Sequence, residues 1–220
     1  MTNLRTTTDS KLKDAVVEEL SWVPDVDSTK IGVAVSDGTV TLLGEVTSYS
    51  EKVRAAKAVM RVHGVRAVAQ EITVKSPWTL TDADIAAKAQ SALAASGNVP
   101  ETVHVVVDNR VLTLSGETRW QFQRLAAEHA VEHLRGVHGV RNTTTIKTGP
   151  APADMANRIH AAFLRSADLD SKAINLTTDA EGTVTLRGFV HSAAEHRTAA
   201  HACWAAPGVT AVHDELVVRL

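Results

Sequence analysis

The stretch VTLLGEV, residues 40–46, reads as a β-strand: Val40, Leu42, Gly44 and Val46 alternate with Thr41, Leu43 and Glu45 at the period of two that a half-buried strand requires. The chain repeats it as LTLSGET at 112–118 and as VTLRGFV at 184–190. The glycines fall at Gly44, Gly116 and Gly188, so that 116 − 44 and 188 − 116 both give 72. The same interval relates Gly64, Gly136 and Gly208, then Val65, Val137 and Val209, then Val68, Val140 and Val212. A period this long exceeds that of a solenoid and approaches the smallest size at which a domain folds alone, so three small domains in tandem are expected.

Each copy reads alike. An amphipathic helix comes first, with apolar residues four apart: Leu12, Val16 and Leu20, then Ile85, Ala89 and Leu93, then Met155, Ile159 and Phe163. Two alternating strands follow, as in Ile31, Val33 and Val35, then the Asp/Gly turn at 36–38, then Val40 and Leu42, which is the signature of a hairpin. A second helix carries Ala55, Ala58, Val59 and Val62 on one face, matched by Ala127, Ala130, Val131 and Leu134 and by Ala199, Ala202, Cys203 and Ala206. The Gly64 column is expected to stop this helix, and a last strand follows through Val68, Ile72 and Val74. The Gly44 column is expected to clear space for the second helix, whose Ala55 and Ala58 would approach closely.

The fold class is therefore α+β: three tandem αββαβ domains, each a three-stranded sheet with two helices on one face. The expected boundaries are a tail at 1–8, domains at 9–75, 82–147 and 154–220, and linkers at 76–81 (SPWTLT) and 148–153 (TGPAPA), where proline and small polar residues gather.

Composition narrows the function classes. The net charge is −2 and no long basic tract occurs, so no nucleic-acid partner is expected. The polar N-terminus lacks the apolar core of a signal peptide, and no apolar run nears the roughly 18 residues of a membrane span, so a cytoplasmic protein, at most peripheral to the membrane, is expected. One cysteine, Cys203, excludes an internal disulfide framework and a cysteine-based zinc site.

With VTLxG at Val40 to Gly44 and Val184 to Gly188, LTLSG between them, and GVxxV at Gly64, Val65 and Val68 and their equivalents, the unit resembles the BON (bacterial OsmY and nodulation) domain. The likeness covers nearly the whole chain. It implies a small α/β sandwich without catalytic residues and a role at phospholipid or membrane surfaces, often in osmotic or envelope stress. Some members of the family resemble periplasmic folding helpers, and a cytoplasmic relative binds potassium.

Several residues invite a chemical reading. His129, Glu132 and His133 match HxxEH, in which two helical histidines face a zinc ion and the glutamate activates water. Their columns read Lys57, His129, His201 and Arg61, His133, Ala205, off the apolar face, which favours a solvated helix surface and no metal. GVHG at 136–139 has the spacing of a backbone-clamping GxxG loop but joins a helix to a strand, where a helix stop is expected. Lys52, Arg54, Lys57 and Arg61 place cations on the second helix of the first copy, and Arg119, Trp120 and Arg124 place an aromatic residue and two cations at the start of the second helix of the middle copy. These seven are the candidate contacts for an anionic phospholipid surface or an envelope-associated protein, against the alternative of ordinary solvation. Ser48 and Ser192 occupy the column of Trp120 and suit a helix N-cap.

Seven histidines, His129, His133, His138, His191, His196, His201 and His213, lie in or beside the second helices of the last two copies, where protonation would strengthen contact with an anion. The outward strand residues Thr41, Leu43 and Glu45, Thr113, Ser115 and Glu117, and Thr185, Arg187 and Phe189 form a face that is solvated, packs between copies or docks a partner. No catalytic constellation recurs in register and no cofactor is expected. The expected function is a non-catalytic binding or adaptor protein at phospholipid or the envelope in stress, with a peptide-binding folding helper or a potassium sensor as alternatives.

Overall fold

In the computed structural model of the chain, residues 2–147, 149, 151–166 and 173–219 are described, with the backbone alone at 2–8, 193 and 194. Met1, and Thr148 and Pro150 of the expected second linker, lie outside them. Contacts group the chain into two units, Met1–Leu93 with Val105–Thr113 and His129–Arg141, and Ala94–His104 with Leu114–Glu128 and Asn142–Leu220.

The first copy runs α1 (Thr2–Ser21), β1 (Ile31–Ser36), β2 (Thr39–Val46), α2 (Tyr49–Val59) and β3 (Ala67–Val74). Residues 2–8, expected as a tail, continue α1. β2 is the central strand, antiparallel to β1 and parallel to β3, with Gly44 opposite Ile31 and Ile72. The parallel step requires a crossover, and α2 supplies it. Leu12, Val16 and Leu20 of α1 and Ala55 and Val59 of α2 meet Ile31, Val40, Leu42, Val46, Ile72 and Val74 in one core, so both helices cover the same face.

The third copy repeats this as α5 (Met155–Arg165), β9 (Ile174–Thr178), β10 (Thr183–Val190), α6 (Ala193–Trp204) and β11 (Ala211–Val218), in the order β11-β10-β9. Met155, Ile159 and Phe163 meet Ile174, Val184, Leu186, Val190, Ala199 and Cys203 in its core. Phe163 is fully buried, and truncating it to alanine would cost about 3–5 kcal/mol.

The middle copy has α3 (Asp82–Ala95), β4 (His104–Asp108), β5 (Val111–Ser115), β6 (Glu117–Thr118), α4 (Gln121–Glu132), β7 (Gly139–Asn142) and β8 (Thr145–Ile146). Ile85, Ala89, Leu93, Leu112, Leu114, Ala127 and Val131 are buried, as their spacing requires. Its sheet is divided into a three-stranded part, β4-β5-β7, and a two-stranded part, β6-β8. Side chains compete with the ladder at the break: Thr143 Oγ1 donates to the Leu114 carbonyl at 2.7 Å, and Asn142 Oδ1 accepts from Thr144 Oγ1 at 2.6 Å.

Both glycine columns do work other than that expected from the sequence. Gly44, Gly116 and Gly188 have φ of 123°, 114° and 124°, and each faces the carbonyl of the residue that enters the adjacent edge strand, Lys30, Thr102 and Ala173, and not the second helix. A positive φ combined with backbone contact explains why no side chain is carried there. The Gly64 column stands beyond the helix end: α2 finishes at Val59 with Met60 as C-cap, and Gly64 forms the next turn at φ 94°. Beside this column lies an apolar residue of the segment that enters the same copy, namely Leu12 for Gly64, Leu80 for Gly136 and Pro152 for Gly208. Leu80 and Pro152 belong to the expected linkers, so these segments are seated on the copy they introduce.

Candidate functional site

The surface of each copy is built from side chains at equivalent positions. The second helix begins at a capping box in the outer copies. Ser48 Oγ accepts from Glu51 N–H at 3.2 Å and Ser192 Oγ from Glu195 N–H at 3.0 Å. The glutamate carboxylates return to Thr47 N–H at 3.0 Å and His191 N–H at 2.6 Å. Glu51 also accepts from Asp27 N–H at 3.0 Å, which ties the loop after α1 to the start of α2. In the middle copy Trp120 replaces the serine, and Gln123 Oε1 accepts from Arg119 N–H at 2.9 Å. The pattern SxxE at 48–51 and 192–195 carried this signal in the sequence.

A second set of contacts joins the second helix to the last strand. Lys52 Nζ donates to the Ile72 carbonyl at 2.7 Å, and Gln70 Nε2 donates to the Lys52 carbonyl at 3.0 Å. Arg124 Nη2 donates to the Asn142 carbonyl at 3.3 Å and Asn142 Nδ2 to the Arg124 carbonyl at 2.9 Å. In the third copy the pair is His196 with Asp214 at 3.2 Å. Two of the seven candidate lipid contacts, Lys52 and Arg124, are thus engaged in holding a helix on its sheet.

The other candidates divide further. Arg61 reaches Glu19 at 3.2 Å, and Arg54 is half-buried with its Nε unpartnered among the described residues. Lys57 is exposed and stands 4.0 Å from Glu132. Arg119 is exposed, and Trp120 beside it is half-buried. Phe122 and Leu125, which follow on α4, are 55% and 43% exposed.

The HxxEH residues do not assemble a metal centre. His129 and His133 are exposed, and His133 lies past the last residue of α4. Glu132 is buried, with His133 Nε2 at 3.3 Å and Lys57 Nζ at 4.0 Å. Among the described residues no group of three His, Cys, Asp or Glu side chains gathers to hold a metal ion. Gly136 and Gly139, which end the GxxG-spaced segment, lie in the turn after α4 and at the first residue of β7.

Other charged groups serve local structure. The Lys30 ammonium at 2.8 Å holds the Asp27 carboxyl below its usual range. Thr81 lowers Asp84 through its hydroxyl and its backbone N–H, at 2.7 and 3.0 Å. Asp82, the first residue of α3, accepts from Asn109 N–H at 2.8 Å and Arg110 N–H at 3.0 Å, locking the hairpin turn, as Asp9 does with Asp37 and Gly38 at 3.0 and 3.4 Å. Burial, with Arg110 nearby, pushes the His138 pKa down. Burial pushes the Cys203 thiol up to about 12, with Asp214 adding to the shift.

On the open sheet face, Glu45 pairs with Lys75 and Glu117 with Lys147, the latter at 3.0 Å. At the same position in the third copy, Arg219 stacks over Phe189 at 4.8 Å, and Arg187 meets Glu215 at 2.8 Å. A groove of about 770 Å³ runs beside β9, lined by Asn157 and His160 of α5 and by Ile174, Asn175 and Leu176 of the strand. Trp78 lies under the Arg135 guanidinium at 4.4 Å, while Trp22 is 78% exposed. Among the described residues no helix is long and apolar enough to cross a membrane.

This is a tandem array of small αββαβ domains in which Glu51, Lys52, Arg124 and Glu195 brace the fold. The BON domain profile matches residues 8–76, 81–148 and 153–219, and the chain belongs to that family. It is 30% identical over 152 residues to the osmotically-inducible protein Y of Escherichia coli (strain K12), spanning 64% of this chain and 74% of that protein. Two solved structures of CdsD, a structural protein of the type III secretion system of Chlamydia trachomatis, overlay 95% of this chain on 92% and 98% of theirs. Their identities are 14% and 15%, and each TM-score is 0.27.

Proposed function

We propose that this chain is a non-catalytic binding protein of osmotic or envelope stress that engages phospholipid surfaces. The observation that supports it most is the family match across all three copies together with the relative described as osmotically inducible. The described surface adds exposed Arg119 beside Phe122 and Leu125, which are 55% and 43% exposed.

Sedimentation of the full chain with phosphatidylglycerol vesicles at low and high salt tests this reading. Binding that weakens with salt supports it; no binding at low salt overturns it. A second reading, a folding helper for extended peptide, is favoured by one feature, the groove beside β9. Phe189 N–H donates to Ala173 and Asp179 N–H to Thr183, so the alternate residues Ile174, Leu176 and Thr178 turn their backbone groups to the free edge of the sheet. Suppression of client aggregation without vesicle binding would select it.

A further inference from the structure

We infer that the middle copy is the one that enters the anionic bilayer surface, through the exposed corner formed by Arg119, Trp120, Phe122 and Leu125 at the start of α4. This rests on the phospholipid reading above and assigns it a surface.

The repeat itself shows that the fold does not require this corner to be apolar. Phe122 shares its column with Ser50 and Ala194, and Leu125 with Val53 and Arg197, so serine and arginine are accommodated on the same scaffold. Yet Phe122 and Leu125 leave 55% and 43% of their surface in water within one turn of helix. Single exposed apolar residues are ordinary, but adjacent ones beside a half-buried tryptophan make a patch.

Charge selects the occupant. α2 and α6 carry Glu51 and Glu195 in their first turns, whereas α4 carries no acidic residue there. Gln123 keeps the hydrogen bond of that column and discards its negative charge. Arg119 is exposed beside the patch, Arg124 adds a second cation behind it, and the neighbouring Glu117 is neutralised by Lys147 at 3.0 Å. An aromatic and aliphatic corner flanked by arginine, on a helix whose first turn holds no carboxylate, complements an anionic headgroup layer, with the rings at the level of the acyl boundary.

The test uses the full chain with vesicles of phosphatidylglycerol and phosphatidylcholine in equal parts, against phosphatidylcholine alone. The variant Phe122→Ser/Leu125→Gln is compared with the parent, and Leu164→Gln, which removes an apolar side chain 65% exposed on the third copy, serves as control. Expected are binding to the mixed vesicles only, a loss of about tenfold or more in the α4 variant, unchanged binding in the control, and unchanged melting temperature in both. An Arg119→Gln variant should weaken binding most at low salt. If the parent binds and the α4 variant binds equally, the corner is not the contact and the inference falls while the phospholipid reading stands. If the parent binds neither vesicle, both fall. If the α4 variant loses self-association in sedimentation velocity but keeps vesicle binding, the corner is an interface between copies of this chain and the inference is overturned.

Discussion

A Cβ on Gly44 would stand 2.0 Å from the carbonyl oxygen of Lys30, and the same relationship joins Gly116 to Thr102 at 2.0 Å and Gly188 to Ala173 at 2.1 Å. The obstruction is backbone, which cannot swing aside, and φ near 120° is strained for any L side chain. Gly44→Ala and Gly188→Ala should each destabilise the copy they sit in by about 3 kcal/mol or more. Urea unfolding followed by circular dichroism measures this; a variant that melts with the parent would refute the close approach.

Glu51 is buried and serves two N–H groups, those of Asp27 and Thr47, with one carboxylate. Glu51→Ala strands both donors and should cost about 2 kcal/mol. Glu51→Gln should cost less, because Gln123 holds the N–H of Arg119, the counterpart of Thr47, with its amide oxygen in the middle copy. Equal losses from the two substitutions would show that charge, and not hydrogen-bond capacity, holds the cap.

Much of this architecture was legible in the sequence because a 72-residue interval aligned every apolar column. Leu12, Val16 and Leu20 are buried by a helical period that needs no partner to be recognised. The Gly44 column was found but misread: alternation tells which face a residue takes, not that a carbonyl across the edge strand approaches it. The Gln70, Asn142 and Asp214 column escaped notice because three different residues make analogous clips, and a strand pattern gives no hint of the helix residue above. The candidate cations were identified by type, yet only the structure separates Lys52 and Arg124, which are hydrogen-bonded to strand carbonyls, from Arg119, which is exposed.

His138 should make the middle copy acid-sensitive. Burial and the Arg110 charge lower its pKa below the usual 6.5, so the unfolded chain takes up the proton more readily than the folded one. The contribution is fully present above about pH 6.5 and is lost as pH falls through the depressed folded value. His138→Gln should flatten that part of the stability profile, read as melting temperature against pH from 7.5 to 4.5. An unchanged slope would show that other groups carry it.

The HxxEH residues should not confer stoichiometric zinc. Glu132 is buried against His133 and within reach of Lys57, while His129 lies on the exposed side of the helix. Purified protein exposed to excess zinc and then dialysed should retain well under one equivalent, and His129→Ala/His133→Ala should retain the same. One zinc per chain that disappears in the double variant would restore the metal reading.

Cys203 should be chemically silent in the folded protein and report the opening of the third copy. It is fully buried in the core with Ile159, Phe163 and Leu186, and burial raises its thiol from 9.0 to about 12, with Asp214 adding to the shift. The thiolate is the reactive species, so at pH 8 both access and ionisation are withheld until the domain unfolds. Iodoacetamide should therefore label Cys203 at the rate of local opening, and Gly188→Ala, which loosens this copy alone, should accelerate labelling where Gly44→Ala does not. The same shift gives an alkaline limit: stability from the neutral thiol is complete below about pH 9 and declines as pH rises toward 12, since the unfolded chain ionises first. Cys203→Ala should remove that decline at a cost of about 1–2 kcal/mol for the vacated volume. Rapid labelling of the native protein at pH 8 would place Cys203 at the surface and overturn the packing of α6 on its sheet.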